Sequence, residues 1–161
     1  MKRHYYIGLS LTILIIVLIA DQLTKWVIAT QMTIGESFNV IPNFLSITSH
    51  RNDGAAWGIL SGQMYFFYLI TIVIIIALIV FYIKEAKDHM LMQVAISLLL
   101  GGAIGNFIDR LLNGQVVDFV DTNIFGYDFP IFNIADASLT IGVVILVIIL
   151  LTDKSNDKRK V

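Results

Sequence analysis

Two aspartates stand out in a chain this apolar. Asp118 lies in VVDFV and Asp136 in FNIADASLT. Taken singly, each has a bland explanation. A lone loop aspartate is usually a solvated carboxylate, and a helix N-terminus favours a negative charge. Asn133 is the better cap by position, which leaves Asp136 unexplained as a cap, and no basic residue stands at its i±3 or i±4 positions. Two carboxylates that reach the same depth from different segments suit acid–base chemistry. Sharing a site, they cannot both ionise cheaply, so one keeps its proton. The charged partner can take a proton from water as it attacks a peptide carbonyl, and the protonated one can donate to the carbonyl oxygen or the leaving amine.

Other polar residues have the spacing of helix neighbours. Asp21 and Lys25 are i, i+4 and share a face, which suits a structural ion pair at the end of a span. Asn106 and Arg110 show the same spacing, and Arg110 suits either snorkelling to the interface or pinning a carboxylate. Competing chemistries lack parts. There is no cysteine, hence no disulfide, thiolate metal site or cysteine nucleophile. His4, His50 and His89 show no paired metal-ligand spacing, and neither metal nor cofactor is expected. A Ser–Lys dyad on Lys25 has no elbow motif to hold a serine. GGAIG (101–105) lacks a P-loop lysine and suits close helix packing.

The elements that must carry these residues follow from composition. Hydrophobic residues make up 57% of the 161 and charged ones 14%, with a mean hydropathy of +0.82. Twenty-three charged side chains are too few to cover a water-soluble domain of this size, so the surplus apolar surface must face lipid. The net charge of −1 argues against a nucleic-acid partner. Four stretches match the roughly 20 apolar residues that cross a bilayer: about 7–29, 64–83, 90–108 and 132–152. The first reads as an uncleaved anchor. Lys2, Arg3, Lys84, Lys87, Lys154, Lys158, Arg159 and Lys160 all fall on one side of a four-span chain, which predicts cytoplasmic termini. Two connections, about 30–63 and 109–131, then face outward with only Arg51 and Arg110. SFNVI and FLSIT, split by Pro42-Asn43, predict a hairpin, and QVVDFV and NIFGYDF are weaker strand candidates. The expected fold is a single all-α membrane domain of four spans with a small β-rich platform on the extracytoplasmic side.

Residues 53–62 predict one or two helical turns lying over the site as a mobile lid, capped by Asn52 or Asp53, ended by Gly62 and carrying Trp57 at headgroup depth. An intramembrane carboxylate also suits a proton- or ion-coupled transporter. A relay across the bilayer, however, would need polar residues at mid-depth, where only isolated Ser97 and Thr71 occur.

The blocks DQLTK (21–25), NDGAAWG (52–58), GGAIGNFIDR (101–110), VVDFV (116–120) and FNIADAS (132–138) resemble, in order and approximate spacing, those of bacterial lipoprotein signal peptidases, or signal peptidase II. The resemblance covers essentially the whole chain. It implies an aspartyl endopeptidase of the bacterial cytoplasmic membrane. Such an enzyme cleaves diacylglyceryl-modified prolipoproteins just before the lipidated cysteine, with membrane lipid as its surroundings, and is expected to act as a monomer. By motif, Asp118 and Asp136 match the catalytic pair. Asn52, Gly54, Ala55, Asn106, Arg110, Asn133 and Ala135 match residues that line or support the site, and Asp21 and Lys25 match the first block. Trp57 departs from the phenylalanine more usual there, and residues 121–129 follow no pattern of the family.

Overall fold

The computed structural model describes residues 4–55 and 59–157, the last five by backbone alone. Four long helices carry the chain: α1 (Ile7–Gln31), α2 (Met64–Glu85), α3 (Met90–Asn113) and α4 (Ile134–Asp157). Each is long and apolar enough to cross a membrane. Between α1 and α2 lie β1 (Ser37–Ile41) and β2 (Leu45–Asn52), and between α3 and α4 lie β3 (Val116–Ile124) and β4 (Tyr127–Asp128). The strands form one antiparallel sheet in the order β1-β2-β3-β4. Lys2, Arg3, Trp57, Lys158, Arg159 and Lys160 lie outside the described residues.

The helix limits shift where hydropathy is a poor guide to hydrogen bonding. A span drawn on hydropathy stops at Asp109, yet α3 continues to Asn113 because Asp109 and Arg110 do not interrupt its backbone ladder. It ends at Gly114, whose φ of +66° is the left-handed conformation that terminates helices. At the other boundary α4 starts at Ile134, two residues later than hydropathy suggests, because Asn133 caps it. Residues 121–129 form the end of β3, a two-residue turn at Phe125 (φ +53°) and Gly126 (φ +86°), and β4. Positive φ at both turn residues matches the right-handed twist of paired strands.

α3 is the central helix. It buries twelve residues, from Met92 to Asp109, whereas α2 buries only Phe67 and Thr71. The glycines of GGAIG make this possible. A Cβ on Gly102 would lie 2.4 Å from the Ala135 carbonyl oxygen, and one on Gly101 would lie 2.9 Å from a Val17 methyl. α1 and α4 therefore approach α3 at backbone distance, the small-residue packing that suits helices in lipid. Leu69, Ile72, Val73 and Ile76 on α2 remain exposed, and so do Ile15, Ile16 and Ile19 on α1.

Candidate active site

The sheet and the start of α4 meet at one end of the bundle. β2 and β3 pair with His50 opposite Asp118 and Asn52 opposite Val116. That register lets Asn52 Nδ2 donate to Asp118 Oδ2 (2.9 Å), while Asn133 Nδ2 donates to Asp118 Oδ1 (2.6 Å). Asp118 is almost wholly buried, at 1% exposure. Burial pushes its carboxyl up to about 6; hydrogen bonds from Asn52 and Asn133 and the charge of Lys25 pull it down, and the neighbouring charge of Asp136 pushes it further up.

Asp136 arrives on the first turn of α4. Asn133 Oδ1 accepts from the Asp136 N–H (2.9 Å), and Asp136 Oδ2 accepts from the Asn133 N–H (3.2 Å). This is a reciprocal capping box, in which Asn133 is the cap and Asp136, at the third helical position, returns its bond. Its other oxygen, Oδ1, accepts from Asn106 Nδ2 (2.8 Å). Asn133 thus bonds both carboxylates at once, through its side chain and its backbone.

Beneath the two aspartates lies a buried charge cluster. Lys25 Nζ sits 2.8 Å from Asp21 Oδ2, 3.2 Å from Asp109 Oδ2 and 2.9 Å from Asn106 Oδ1. Each of these partners reaches a segment that holds an aspartate of the pair. Asp21 Oδ1 accepts from the Ala135 N–H (2.9 Å), one residue before Asp136. Asp109 Oδ2 accepts from the Val117 N–H (3.1 Å), one residue before Asp118. Gln22 Nε2 donates to Asp21, to Asp109 and to the Gly105 carbonyl at 3.1–3.2 Å. Gly105 has no room for a side chain, since a Cβ there would lie 2.6 Å from Asp21 Oδ2. Ala135, fully buried, packs against the same spot.

A cleft of about 750 Å³ opens over the pair, lined by Asn52, Gly54, Ala55, Asn106, Arg110, Asp118 and Asp136 and by apolar residues of α2, α4 and the segment before α4. Arg110 neither snorkels nor forms an ion pair among the described residues. Its Nη2 donates to the Gly54 carbonyl (3.3 Å), its guanidinium stacks on Phe67 at 4.7 Å, and its Nε is buried with no partner among the described residues. Gly54 is held by its N–H bond to Asn52 Oδ1 (2.9 Å), and a Cβ there would lie 2.7 Å from the Ile59 carbonyl oxygen.

The structure brings Asp21, Lys25, Asn52, Gly54, Ala55, Asn106, Arg110, Asp118, Asn133, Ala135 and Asp136 together at one end of the bundle, while Trp57 lies outside the described residues. The loop around it is not helical where it is described. The Ala55 N–H donates forward to the Ile59 carbonyl (2.8 Å) and the Gly62 N–H donates to the Asp53 carbonyl (3.2 Å). A helix would send its N–H bonds back four residues, so the first bond has the wrong direction. Residues 53–55 and 59–62 form bends and turns instead. Sequence reasoning missed Asp109 and Gln22. The signal was present in Asp109, three residues after Asn106 and so on the same helix face, but its neighbour Arg110 drew the attention.

A family model described as Signal peptidase (SPase) II matches residues 13–152. The chain is 70% identical over 159 residues to a lipoprotein signal peptidase of Staphylococcus haemolyticus, covering 99% of this chain and 100% of that one. It is 66% identical over 160 residues to a lipoprotein signal peptidase of Staphylococcus aureus strain JH9, covering 99% and 98%. A solved structure of a bacterial membrane enzyme matches with a TM-score of 0.93 at 67% identity, covering 97% of this chain and 95% of that one. A second such structure matches with a TM-score of 0.88 over 95% and 99%.

Proposed function

This chain belongs to the signal peptidase II family, a multi-pass membrane peptidase that removes signal peptides from prolipoproteins, and we propose that it does so as an aspartyl endopeptidase through Asp118 and Asp136. The transporter reading falls with that assignment. The observation that carries the mechanism is the single residue, Asn133, that bonds both carboxylates of one cleft, Asp118 through its side-chain amide and Asp136 through its backbone N–H. Two carboxylates so held share a proton. The ionised one removes a proton from water as the water oxygen bonds to the scissile carbonyl carbon. The protonated one donates to the carbonyl oxygen, and collapse of the tetrahedral species sends a proton to the leaving nitrogen as the C–N bond breaks. Asn52, Asn106 and Asn133 fix the oxygens, so little reorganisation accompanies the charge movement.

The substrate we assign is a prolipoprotein carrying diacylglycerol on the cysteine after the scissile bond. A cleft with polar groups at its floor and apolar walls on α2 and α4 suits a bond flanked by acyl chains that stay in the bilayer. The enzyme acts as a single integral membrane domain and as a monomer, with termini in the cytoplasm and the cleft toward the outer leaflet. The described basic residues Lys84 and Lys87 lie at the end of the bundle away from the sheet, as that orientation requires. Cleavage of a synthetic diacylated peptide in detergent, with the unlipidated peptide beside it, tests the substrate. Cleavage of the lipidated peptide alone is expected, and equal cleavage of both would sink the lipid requirement. An impermeant thiol label should reach a cysteine placed at Asn43 or Thr122 from outside and one at Lys87 only from inside; the reverse pattern would overturn the orientation.

A further inference from the structure

One wall of the cleft is an unfinished edge of the sheet. The Phe129 N–H donates to the Thr122 carbonyl (2.9 Å), the Phe132 N–H donates to the Val120 carbonyl (3.0 Å), and the Val120 N–H donates to the Phe132 carbonyl (2.8 Å). Residues 129–132 therefore run antiparallel along β3, on the side away from β2. The pairing slips by one residue between these contacts, which marks a bulge with Pro130 inside it, a position where a missing N–H costs nothing. Phe132 turns its N–H and C=O toward β3, whereas Ile131, beside the bulge, bonds to β3 through neither. Among the described residues neither the N–H nor the C=O of Ile131 has a partner, and Ile131 lines the cleft together with Asp118 and Asp136. Ile131 is half-buried as a residue, and a peptide group without partners is costly wherever water is kept from it.

We propose that the extended segment of the substrate just before the scissile bond adds to the sheet along residues 129–132, exchanging a pair of backbone hydrogen bonds with Ile131. This rests on the peptidase reading above and names how that site holds its peptide. Strand addition suits a peptidase that must accept varied side chains, because main-chain bonds supply affinity whatever the side chains are. It also draws the peptide out of a helix, whose own hydrogen bonds would otherwise shield the carbonyl to be attacked. Ile131 stands two residues before Asn133, the residue that bonds both aspartates, so a peptide paired at Ile131 passes the carboxylates within a residue or two.

The test is an amide-to-ester scan of a diacylated peptide substrate, one replacement at a time over the four residues before the scissile bond. Each ester removes one N–H with little change of shape. A rise in KM of roughly 2- to 10-fold, with kcat little changed, is expected at one position, the size of one lost hydrogen bond. Ile131→Pro removes the N–H on the enzyme side, where it serves no internal bond. It should raise KM for the all-amide peptide by a similar factor and shrink the penalty of that one ester. An enzyme with an ester bond in place of the 130–131 amide keeps the side chain and serves if the proline variant fails to fold. A flat scan, or an ester penalty as large in the enzyme without the residue-131 N–H as in wild type, overturns the strand addition while leaving the peptidase intact. If the wild-type chain leaves the all-amide lipidated peptide uncut, the peptidase reading falls and this inference with it.

Discussion

The two ends of this bundle both bury polar side chains, and they do so in opposite ways. At the end away from the sheet, Gln93 is fully buried and neutral. Its Oε1 accepts from the Tyr6 N–H (2.7 Å) and Tyr82 OH (3.0 Å), and its Nε2 donates to the Ala86 carbonyl (2.9 Å). Ser10 and Tyr82 share a hydrogen bond (2.8 Å), and His4 and Asp88 exchange bonds across the gap between the N-terminal segment and the α2–α3 link. The amide spends its capacity on tying three segments together. At the sheet end the buried groups include the charged Asp21, Lys25, Asp109 and Asp118, and two carboxylates line a cleft. Buried polarity alone is therefore no mark of chemistry. What separates the ends is charge together with groups directed at open space.

The largest expected effect breaks that comparison or keeps it. Asp118→Asn and Asp136→Asn should each lower cleavage by at least ~10²–10⁴-fold, because Asn cannot exchange a proton. Circular dichroism and thermal unfolding of the purified variants should show the fold retained, since an amide oxygen still accepts from Asn52 or Asn106. Substantial turnover by either folded variant would reduce the sheet end to the same structural role as the other.

Next in size is Lys25→Met. It leaves Asp21 and Asp109 buried side by side without their counter-charge, and removal of one partner from such a cluster costs about 3–5 kcal/mol. Thermal unfolding in detergent should record the loss, and residual activity should fall because Ala135 and Val117 lose their fixed acceptors. Combining it with Asp21→Asn and Asp109→Asn should restore much of the stability. A Lys25→Met protein as stable as wild type would show that the cluster holds neither segment.

The sequence carried the four spans because about 20 apolar residues in a row have few other uses, and it carried the β1–β2 hairpin because Pro42-Asn43 divides two β-prone runs. It also drew attention to Asp118 and Asp136, since a charge among apolar neighbours is conspicuous. Three things were not legible. The end of α3 was misplaced because hydropathy falls at Asp109 while the helix ladder runs on to Gly114. The small and apolar residues of 53–62 allow a helix, yet the Ala55 N–H bonds forward to the Ile59 carbonyl, which no helix does. Asp109 passed unnoticed because its role is a bond to the Val117 N–H, eight residues away across a turn that residue types do not announce.

A pH effect separates the ends more gently. Asp118 holds its proton up to about 6 in the folded chain, through burial first, against roughly 3.9 for an unfolded aspartate. The folded state therefore binds that proton more tightly, and between about pH 4 and 6 stability falls as pH rises. Asp118→Asn should flatten that slope, while Gln93→Leu, which removes no titrating group, should leave it unchanged. In turnover, kcat/KM should decline as the shared proton is lost above the same range. An unfolding profile with the same pH slope in wild type and Asp118→Asn would contradict the raised proton affinity.

The smallest expected effect on activity belongs to Gln93→Leu, and it is the sharpest test of the comparison. The substitution is close in volume, so no cavity opens. It strips a partner from the Tyr6 N–H and the Ala86 carbonyl, while the Tyr82 hydroxyl keeps Ser10. The Ala86 carbonyl keeps the His89 N–H, and each lost hydrogen bond costs about 0.5–1.5 kcal/mol, so the unfolding midpoint should drop. The cleft is lined from α2, the 52–55 segment, the sheet half of α3, β3 and residues 129–141, and none of the lining residues bonds to the Gln93 side chain. Below the unfolding midpoint, kcat/KM on a lipidated peptide should therefore match wild type within about twofold, the size of the weakest hydrogen-bond effects. A larger loss of turnover in a folded Gln93→Leu protein would mean that α3 transmits its inner fixation to the carboxylates, and the two ends would have to be treated as one device.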